Sequence, residues 1–181
     1  MSDRAALIEL LEDRSLKHGD FVLASGQHSS YYIDARPTTM SAQGQRLIGR
    51  MGLQAIRDAG WHPQAVGGLT MGADPVAYAI AAASVDDPPT IDAFSVRKAA
   101  KDHGVRQQIE GNFTAGQEVV VVEDVITLGG SALQAALAIQ KSGGRVLGIL
   151  TVVDRLQGGR EALEDAGFSV VSITTIKELG I

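Results

Sequence analysis

The sequence of 181 residues has no cysteine, no long apolar run and no extended basic run. The lack of cysteine excludes disulfides, thiol nucleophiles and cysteine-based zinc sites. Lysine and arginine number 16 against 21 aspartates and glutamates, and the resulting net charge of −5 disfavours a nucleic-acid or membrane-surface partner. No segment has the pattern of a membrane span or of a basic-then-apolar leader. These absences predict a soluble cytoplasmic protein.

Strand-like and helix-like segments alternate along most of the chain. The apolar spacing predicts helices at 3–16, 41–59, 74–84, 131–141 and 160–166, and strands at 21–24, 31–34, 65–70, 90–96, 118–126, 145–153 and 169–176. Ser41 is expected to cap the second helix, whereas Gly19 should end the first, next to His18 at its C-terminus. Such alternation predicts parallel strands with right-handed crossovers. We expect a single α/β domain, residues 1–181, with a mostly parallel central sheet flanked by helices.

The most informative segment is residues 119–131, which read Val-Val-Val-Val-Glu-Asp-Val-Ile-Thr-Leu-Gly-Gly-Ser. Four consecutive valines are typical of a strand that is buried on both faces of a parallel sheet. Glu123 and Asp124 follow where this strand should end, which is where ligands bind in open α/β sheets. The two glycines and Ser131 lead into a helix, whose first N–H groups attract an anion. Carboxylates beside an anion site favour a ligand with both a phosphate and hydroxyls, such as a sugar phosphate.

A polar segment at 97–104 places four potentially cationic side chains directly after a predicted strand: Arg97, Lys98, Lys101 and His103. A loop of about fifteen residues without apolar periodicity is unusual inside a compact domain and is often a lid. Lids exclude water and complete a site when they close. Because the chain as a whole is acidic, this local positive charge predicts that the loop covers an anionic substrate.

Segment 119–131 is similar to the signature of type I phosphoribosyltransferases, which bind 5-phosphoribosyl 1-diphosphate (PRPP), and further segments resemble the orotate phosphoribosyltransferase family. Residues 21–26 and 30–36 resemble the family's N-terminal hood, to which residues 1–40 would contribute. Residues 67–75 resemble its diphosphate loop, 97–104 its catalytic loop and 153–155 its orotate-contacting turn. The resemblance extends over nearly the whole chain. It implies an enzyme that transfers ribose 5-phosphate from PRPP to orotate, giving orotidine 5′-monophosphate and diphosphate in pyrimidine biosynthesis.

The resemblance also implies roles for individual residues of this chain. PRPP would be bound by Arg97, Lys98, Lys101, His103, Glu123, Asp124, Val125, Ile126, Thr127, Leu128, Gly129, Gly130 and Ser131. The catalytic residues would be Lys101, His103 and Asp124, while Thr127 and Arg155 would hold orotate. Mg²⁺ would arrive with PRPP and keep mostly substrate oxygens and water as ligands, because no His, Asp or Glu cluster has the spacing of a metal cage. The lid would reach across a homodimer.

Three positions depart from the family pattern, and one backbone feature is implied by it. Ala24 and Met71 stand where many members carry a basic residue, so each would lose a phosphate contact, and Leu128 replaces a smaller residue before the glycines. The turn at Leu69 and Thr70 resembles a place where the family holds a non-proline cis peptide.

Several alternatives remain open at this point. Segment 119–131 could be an ordinary strand–turn–helix unit with solvated acids, although it is not a Walker A loop, since no lysine follows its second glycine. The polar loop could simply be solvated. Tyr31 and Tyr32 could pack within the hood or stack on a ligand. A relative that uses a purine base and a non-catalytic PRPP sensor are the competing functions.

Overall fold

The computed structural model describes residues 2–22, 28–99 and 108–181. Eight strands are present in this part of the chain: β1 (Leu16–Val22), β2 (His28–Ile33), β3 (Ala65–Leu69), β4 (Asp92–Val96), β5 (Ile109–Gly111), β6 (Glu118–Ile126), β7 (Arg145–Asp154) and β8 (Val170–Thr175). The helices of the same ranges are α1 (Asp3–Arg14), α2 (Arg36–Thr39), α3 (Ala42–Asp58), α4 (Ala73–Asp86), α5 (Gly130–Lys141) and α6 (Gly159–Asp165), and a 3-10 turn follows at Ile176–Leu179.

The central sheet has six strands in the order β5-β4-β3-β6-β7-β8. All neighbouring pairs are parallel except β4 and β5. The predicted α/β class with a mostly parallel sheet is therefore confirmed. Because β3, β6 and β7 run side by side in the same direction, their carboxyl ends meet at one edge of the sheet, and this edge holds the site described below.

The valine run of β6 lies at the centre of the sheet and is covered on both faces. Val120 and Val122 pack into an apolar cluster with α1, α3 and α4, whereas Val119 and Val121 pack into a second cluster with α5 and α6. Successive side chains of a strand point to opposite faces, so a strand between two helical layers needs apolar residues at every position. The prediction of a strand that is buried on both faces is therefore confirmed.

The caps of α3 also agree with the sequence. The Ser41 hydroxyl accepts a hydrogen bond from the Gly44 N–H at 3.0 Å, which satisfies one of the free donors of the first turn. The helix ends before Gly60, whose φ of +71° suits a residue without a Cβ.

The first helix ends earlier than the sequence predicts. Helix α1 stops at Arg14, and Ser15 caps it, so Gly19 is not its end. His18 lies within β1, opposite Tyr31 of β2, and not at a helix C-terminus. The strand extends further towards the N-terminus because backbone pairing with β2 outweighs the local helical pattern. Strands β1 and β2 form an antiparallel ribbon outside the main sheet.

Two further expectations need correction. The polar stretch after β4, expected as a loop of about fifteen residues, contains a short strand near its end, because β5 pairs with β4 over residues 109–111. Backbone hydrogen bonds to β4 hold β5 in place, and such bonds require no apolar periodicity in the sequence. The non-proline cis peptide joins Thr70 to Met71, one bond after the expected place.

Candidate active site

A cavity of about 1090 Å³ opens at the carboxyl edge of the sheet. Its walls come from elements far apart in sequence: the start of α2, the loop after β3, the end of β4, the end of β6 and the first turn of α5. Among the lining residues are Arg36, Thr70, Met71, Gly72, Ser95, Arg97, Lys98, Glu123, Asp124 and Ser131. The structure thus brings the expected diphosphate loop, the expected acids and the first cations of the polar loop to one space.

The glycine-rich turn after β6 forms a smaller cavity of about 80 Å³ beside the first one. It is lined by Glu123, Val125, Ile126, Thr127, Leu128, Gly129, Gly130, Ser131 and Ala132. Gly129 has a φ of +79°, and a Cβ there would lie 2.8 Å from the Gly159 carbonyl oxygen, so both conformation and space require glycine. This turn leads into α5, and its N–H groups are available to an anion because the first turn of a helix leaves them without intrahelical partners. The exposed side chain of Leu128 points away from the protein interior.

The acid pair, Glu123 and Asp124, differs in its surroundings. Glu123 is only 6% exposed, and its Oε2 has no hydrogen-bond partner among the described residues. Burial, followed by the neighbouring charge of Asp124, raises the pKa of the Glu123 carboxyl well above its usual range. Asp124 is half-buried and its Oδ1 accepts a hydrogen bond from the Val125 N–H at 2.9 Å. A buried acceptor without a partner favours a ligand that brings a donor, such as a hydroxyl.

Gly72 allows the loop after β3 to approach these acids closely. A Cβ at this position would lie 2.7 Å from Asp124 Oδ1. The backbone at Gly72 therefore lies directly beside the Asp124 carboxylate, with no side chain between them.

Arg155 follows β7 at the same edge and has two buried nitrogens, Nε and Nη2, without a hydrogen-bond partner among the described residues. Its Nη1 donates to the Thr127 hydroxyl at 3.4 Å, and its guanidinium lies 5.2 Å from the centre of the Tyr31 ring. Leaving buried N–H donors unpaired costs free energy, so this arrangement favours a bound planar anion. The Tyr31 ring thus supports a site cation, whereas the more exposed Tyr32 ring lies 5.8 Å from Phe21 within the hood.

The turn that carries Arg155 is anchored from below. The buried Asp154 accepts hydrogen bonds from Arg160 Nε at 3.0 Å and from the Leu156 N–H at 2.8 Å. Arg160 also donates to the Val170 carbonyl oxygen and to the Ser172 hydroxyl. Arg160 belongs to no site motif of the sequence, because its role depends on a neighbouring strand.

The polar loop leaves the sheet at Arg97 and returns at residue 108. The Arg97 N–H donates to the Gln108 carbonyl oxygen at 2.8 Å, and Gln134 of α5 donates to the Lys98 carbonyl oxygen at 2.9 Å. Arg97 and Lys98 line the large cavity. Lys101 and His103, as well as Ala24 of the hood, lie outside the described residues.

Two residues that line the large cavity had no individual role predicted from the sequence. Arg36, at the start of α2, lines the large cavity together with the acid pair. Ser95 also lines it, donates to Asp74 Oδ1 at 2.7 Å and lies 3.0 Å from the Tyr78 hydroxyl. Arg36 ends the segment 30–36 that resembles the family's hood, whereas Ser95 belongs to no motif, and both reach the cavity through packing of the elements that carry them.

Comparison with known proteins gives consistent relatives. The phosphoribosyl transferase domain family matches residues 40–178. The orotate phosphoribosyltransferase of Rhodopirellula baltica is 44% identical over 99% of this chain and 95% of its own length. That of Mycobacterium tuberculosis H37Rv is 46% identical over 99% of this chain and 97% of its own. The chain belongs to the orotate phosphoribosyltransferase family.

Solved structures agree with this membership. The crystal structure of the M. tuberculosis H37Rv orotate phosphoribosyltransferase in complex with PRPP superposes with a TM-score of 0.85, at 42% identity over 99% of this chain and 100% of that one. The adenine phosphoribosyltransferase of Leishmania donovani, at 16% identity and a TM-score of 0.65 over 98% of this chain and 83% of that one, shares the fold alone. The family resemblance inferred from the motifs is therefore confirmed.

Membrane spans and metal clusters are both absent from the described part of the chain. No helix in residues 2–22, 28–99 and 108–181 is long and apolar enough to cross a membrane. Within the same residues, no group of three or more His, Cys, Asp or Glu side chains could hold a metal ion.

Replacing Glu123 by glutamine should stabilise the free protein in a pH-dependent way. Because the folded-state pKa is raised, the stability of the wild type is fully present below the ordinary glutamate pKa and falls as pH rises through the raised pKa. A difference of one unit between the folded-state and unfolded-state pKa is worth about 1.4 kcal/mol, so the melting temperature of Glu123→Gln should exceed that of the wild type increasingly as pH rises from the ordinary glutamate pKa of 4.5 towards the raised folded-state pKa. The exposed Glu9→Gln serves as control. A constant difference in melting temperature across this range would contradict the buried-acid interpretation.

Proposed function

We propose that this chain acts as an orotate phosphoribosyltransferase, in which the C1′ of PRPP loses diphosphate and bonds to N1 of orotate, and the N1 proton is released. The observation that carries the proposal is the buried guanidinium of Arg155, with two unpaired nitrogens, beside a glycine-rich turn and an acid pair. The product would be orotidine 5′-monophosphate, a step in pyrimidine biosynthesis. The substrates fit the site at three places, which we call the phosphate end, the base end and the diphosphate end.

The phosphate end is the turn 127–131. Its N–H groups and the hydroxyls of Thr127 and Ser131 are suited to the 5′-phosphate, and the start of α5 adds a favourable dipole. Glu123 and Asp124 would accept hydrogen bonds from the ribose hydroxyls. The negative charge of the Asp124 carboxylate would then lie near C1′, where positive charge develops as the bond to diphosphate breaks. Burial favours the neutral form of the Glu123 carboxyl in the free protein.

The base end is formed by Arg155, Thr127 and Tyr31. The orotate carboxylate is planar, and a guanidinium can donate two parallel hydrogen bonds to it. Thr127 lies between the base end and the phosphate end, 3.4 Å from Arg155 Nη1, so it is placed to contact both substrates. A purine has no carboxylate to satisfy the buried nitrogens of Arg155, which favours orotate over a purine base.

The diphosphate end is the large cavity between the loop 70–72 and the polar loop. Arg97 and Lys98 line it, and Lys101 and His103 follow in the sequence. We propose that these four side chains neutralise the departing diphosphate, with Lys101 contributing most. A lid of this kind would also exclude water from the reacting C1′ and prevent hydrolysis of PRPP.

We also propose that Mg²⁺ enters with PRPP. The unpartnered Glu123 Oε2 and the carboxylate of Asp124 are hard oxygen donors beside the place of the ribose hydroxyls, which suits an ion that keeps several waters and substrate oxygens. Bound Mg²⁺ would neutralise charge on the diphosphate. Removal of divalent ions with EDTA should then abolish turnover, and added MgCl₂ should restore it.

The proposal is tested by incubating the protein with PRPP, Mg²⁺ and orotate and following the loss of orotate absorbance. Adenine, guanine and hypoxanthine are offered in parallel, with product detected by chromatography. Of the four bases, only orotate is expected to be converted. Turnover of a purine would instead support the purine relative, and PRPP binding without turnover of any base would support a sensor.

We further propose that the chain forms a homodimer through the outer face of α4. Tyr78 and Val85 are exposed apolar side chains one heptad apart on this face, and Met71 is exposed just before the helix. No charged residue lies between Asp74 and Asp86 of this helix, which is unusual for a face in contact with water. Because Met71 also lines the large cavity, a partner at this face would lie next to the diphosphate end.

Sedimentation velocity of the wild type and of Val85→Arg tests this proposal. We expect a dimer for the wild type and dissociation for the variant, because a buried unpaired charge is costly. Leu137→Arg, which changes an exposed apolar residue of α5, is the matched control and should remain dimeric. A monomeric wild type would contradict the proposal.

A cytoplasmic location is proposed as well, since PRPP is highly charged and is retained where it is made.

A further inference from the structure

Arg36 is a cation of the large cavity that none of the three ends of the proposed substrate site uses. It is the first residue of α2 and extends from the hood into the space lined by Thr70, Met71, Gly72 and the acid pair. Arg36 therefore shares this cavity with the end of β6. Arg36 belongs to the hood, outside the central sheet, whereas Arg97 and Lys98 directly follow β4 of that sheet.

Asp34 holds the guanidinium of Arg36 in a defined orientation. Arg36 Nε donates to Asp34 Oδ1 at 2.8 Å and Nη2 donates to Asp34 Oδ2 at 2.8 Å, while the Arg36 N–H also donates to Oδ1 at 3.0 Å. A guanidinium has five N–H donors in a fixed plane, so this fork uses two and leaves three for another acceptor. The entropy cost of ordering the side chain is already met in the free protein, which favours ligand binding.

Cations are needed in the large cavity to offset the negative charge of the acid pair and of a bound anion. The acid pair lies in its wall, and the loop 70–72 contributes Thr70, Met71 and Gly72, none of which is charged. Arg97 is one of the other cations that line the cavity, and its Nη1 lies 3.9 Å from Glu110 Oε1. The hydrogen bonds to Asp34 and the charge of Asp34 raise the pKa of the Arg36 guanidinium, and the charge of Asp124 in the cavity wall makes a smaller contribution.

The arrangement separates two possible ligands for Arg36. The base end is held by Arg155 and Thr127, which do not line the large cavity, whereas Arg36 shares this cavity with the loop 70–72, Arg97 and Lys98. We propose that Arg36 binds the diphosphate group of PRPP, acting from the hood with its three remaining donors, and supplies charge that Met71 does not. This inference rests on the proposed function and adds a substrate-binding residue to it.

The test uses Arg36→Gln in the full-length protein, with Arg14→Gln as the matched control, since Arg14 is an exposed arginine at the end of α1. Diphosphate with Mg²⁺ is titrated calorimetrically into each protein without other substrates, and steady-state kinetics follow. Loss of hydrogen bonds to a charged group is worth about 10- to 100-fold in affinity. We expect the Kd for diphosphate and the KM for PRPP to rise by this factor, and the KM for orotate to stay unchanged. Arg36→Lys should recover part of the loss, because it keeps the charge without the fork.

A second variant removes the main ambiguity. Arg36→Gln leaves Asp34 without its partner, and that carboxylate could itself repel diphosphate. The double variant Asp34→Asn/Arg36→Gln removes both charges. If diphosphate binding remains weak in the double variant, Arg36 contacts the ligand. If the double variant binds diphosphate as the wild type does, or if Arg36→Gln raises both KM values equally, the inference is overturned. Failure of the wild type to consume orotate would instead contradict the proposed function itself.

Discussion

Replacing Arg155 by alanine is expected to raise the KM for orotate by about 100-fold, with a much smaller change in kcat. The carboxylate of orotate carries the same charge in the ground state and in the transition state. Loss of the Arg155 guanidinium therefore weakens binding of both states equally. Truncating one partner of a buried, hydrogen-bonded charge pair costs about 2–5 kcal/mol, and each 1.4 kcal/mol is a factor of ten. The two buried nitrogens of Arg155 without partners place this residue in that class.

Steady-state kinetics with orotate and PRPP varied separately measure the effect. Arg155→Lys should recover little, because a lysine cannot donate in the planar, bidentate manner of arginine. Arg145→Ala is the control, since Arg145 is an exposed arginine at the opposite end of β7. An unchanged KM for orotate in Arg155→Ala would remove Arg155 from the base end.

Replacing Lys101 by alanine is expected to lower kcat by about 10²–10³, with smaller changes in either KM. The negative charge on diphosphate grows as the C1′–O bond breaks, so a cation there stabilises the transition state more than the bound substrate, by about 2.7–4 kcal/mol. Lys101 lies outside the described residues, so this prediction rests on the sequence and the family alone.

The control for Lys101→Ala is Lys141→Ala, which removes an exposed lysine from the last turn of α5. Single-turnover kinetics would show whether the chemical step itself is slowed. A near-normal kcat in Lys101→Ala would mean that another cation carries the charge of the leaving group. Arg36 is then the first to examine in a double variant.

The site at the end of β6 could be predicted from the sequence because its parts are consecutive. A valine run, two carboxylates and a glycine-rich turn lie within thirteen residues, and each reports a local requirement. The valines reflect burial on both faces of the strand, and the glycine at position 129 reflects a positive φ and a close approach to Gly159. Local requirements of this kind leave a signal in the sequence regardless of what packs nearby.

The hood was predicted less well because its structure depends on pairing. The helical pattern continues past Arg14, but β1 begins at Leu16, since the ribbon with β2 satisfies more backbone groups than an extended helix would. Strand β5 has the same origin, because three residues pair with β4 and have little pattern of their own. Secondary structure that is held by a distant strand cannot be inferred from a single segment.

The sequence by itself determined the fold class and the family, and it predicted the phosphate turn and the base-end arginine, because each depends on neighbouring residues or on a motif. Only the tertiary structure decided how the side chains of the site are charged and partnered. The raised pKa of Glu123 follows from burial between layers, and the unpaired nitrogens of Arg155 follow from the packing of Tyr31 and Thr127 around it. Likewise, Arg36 reaches the cavity only because the hood folds over the strand ends. Desolvation and hydrogen-bond satisfaction depend on what surrounds an atom in space, and residues distant in sequence supply those surroundings.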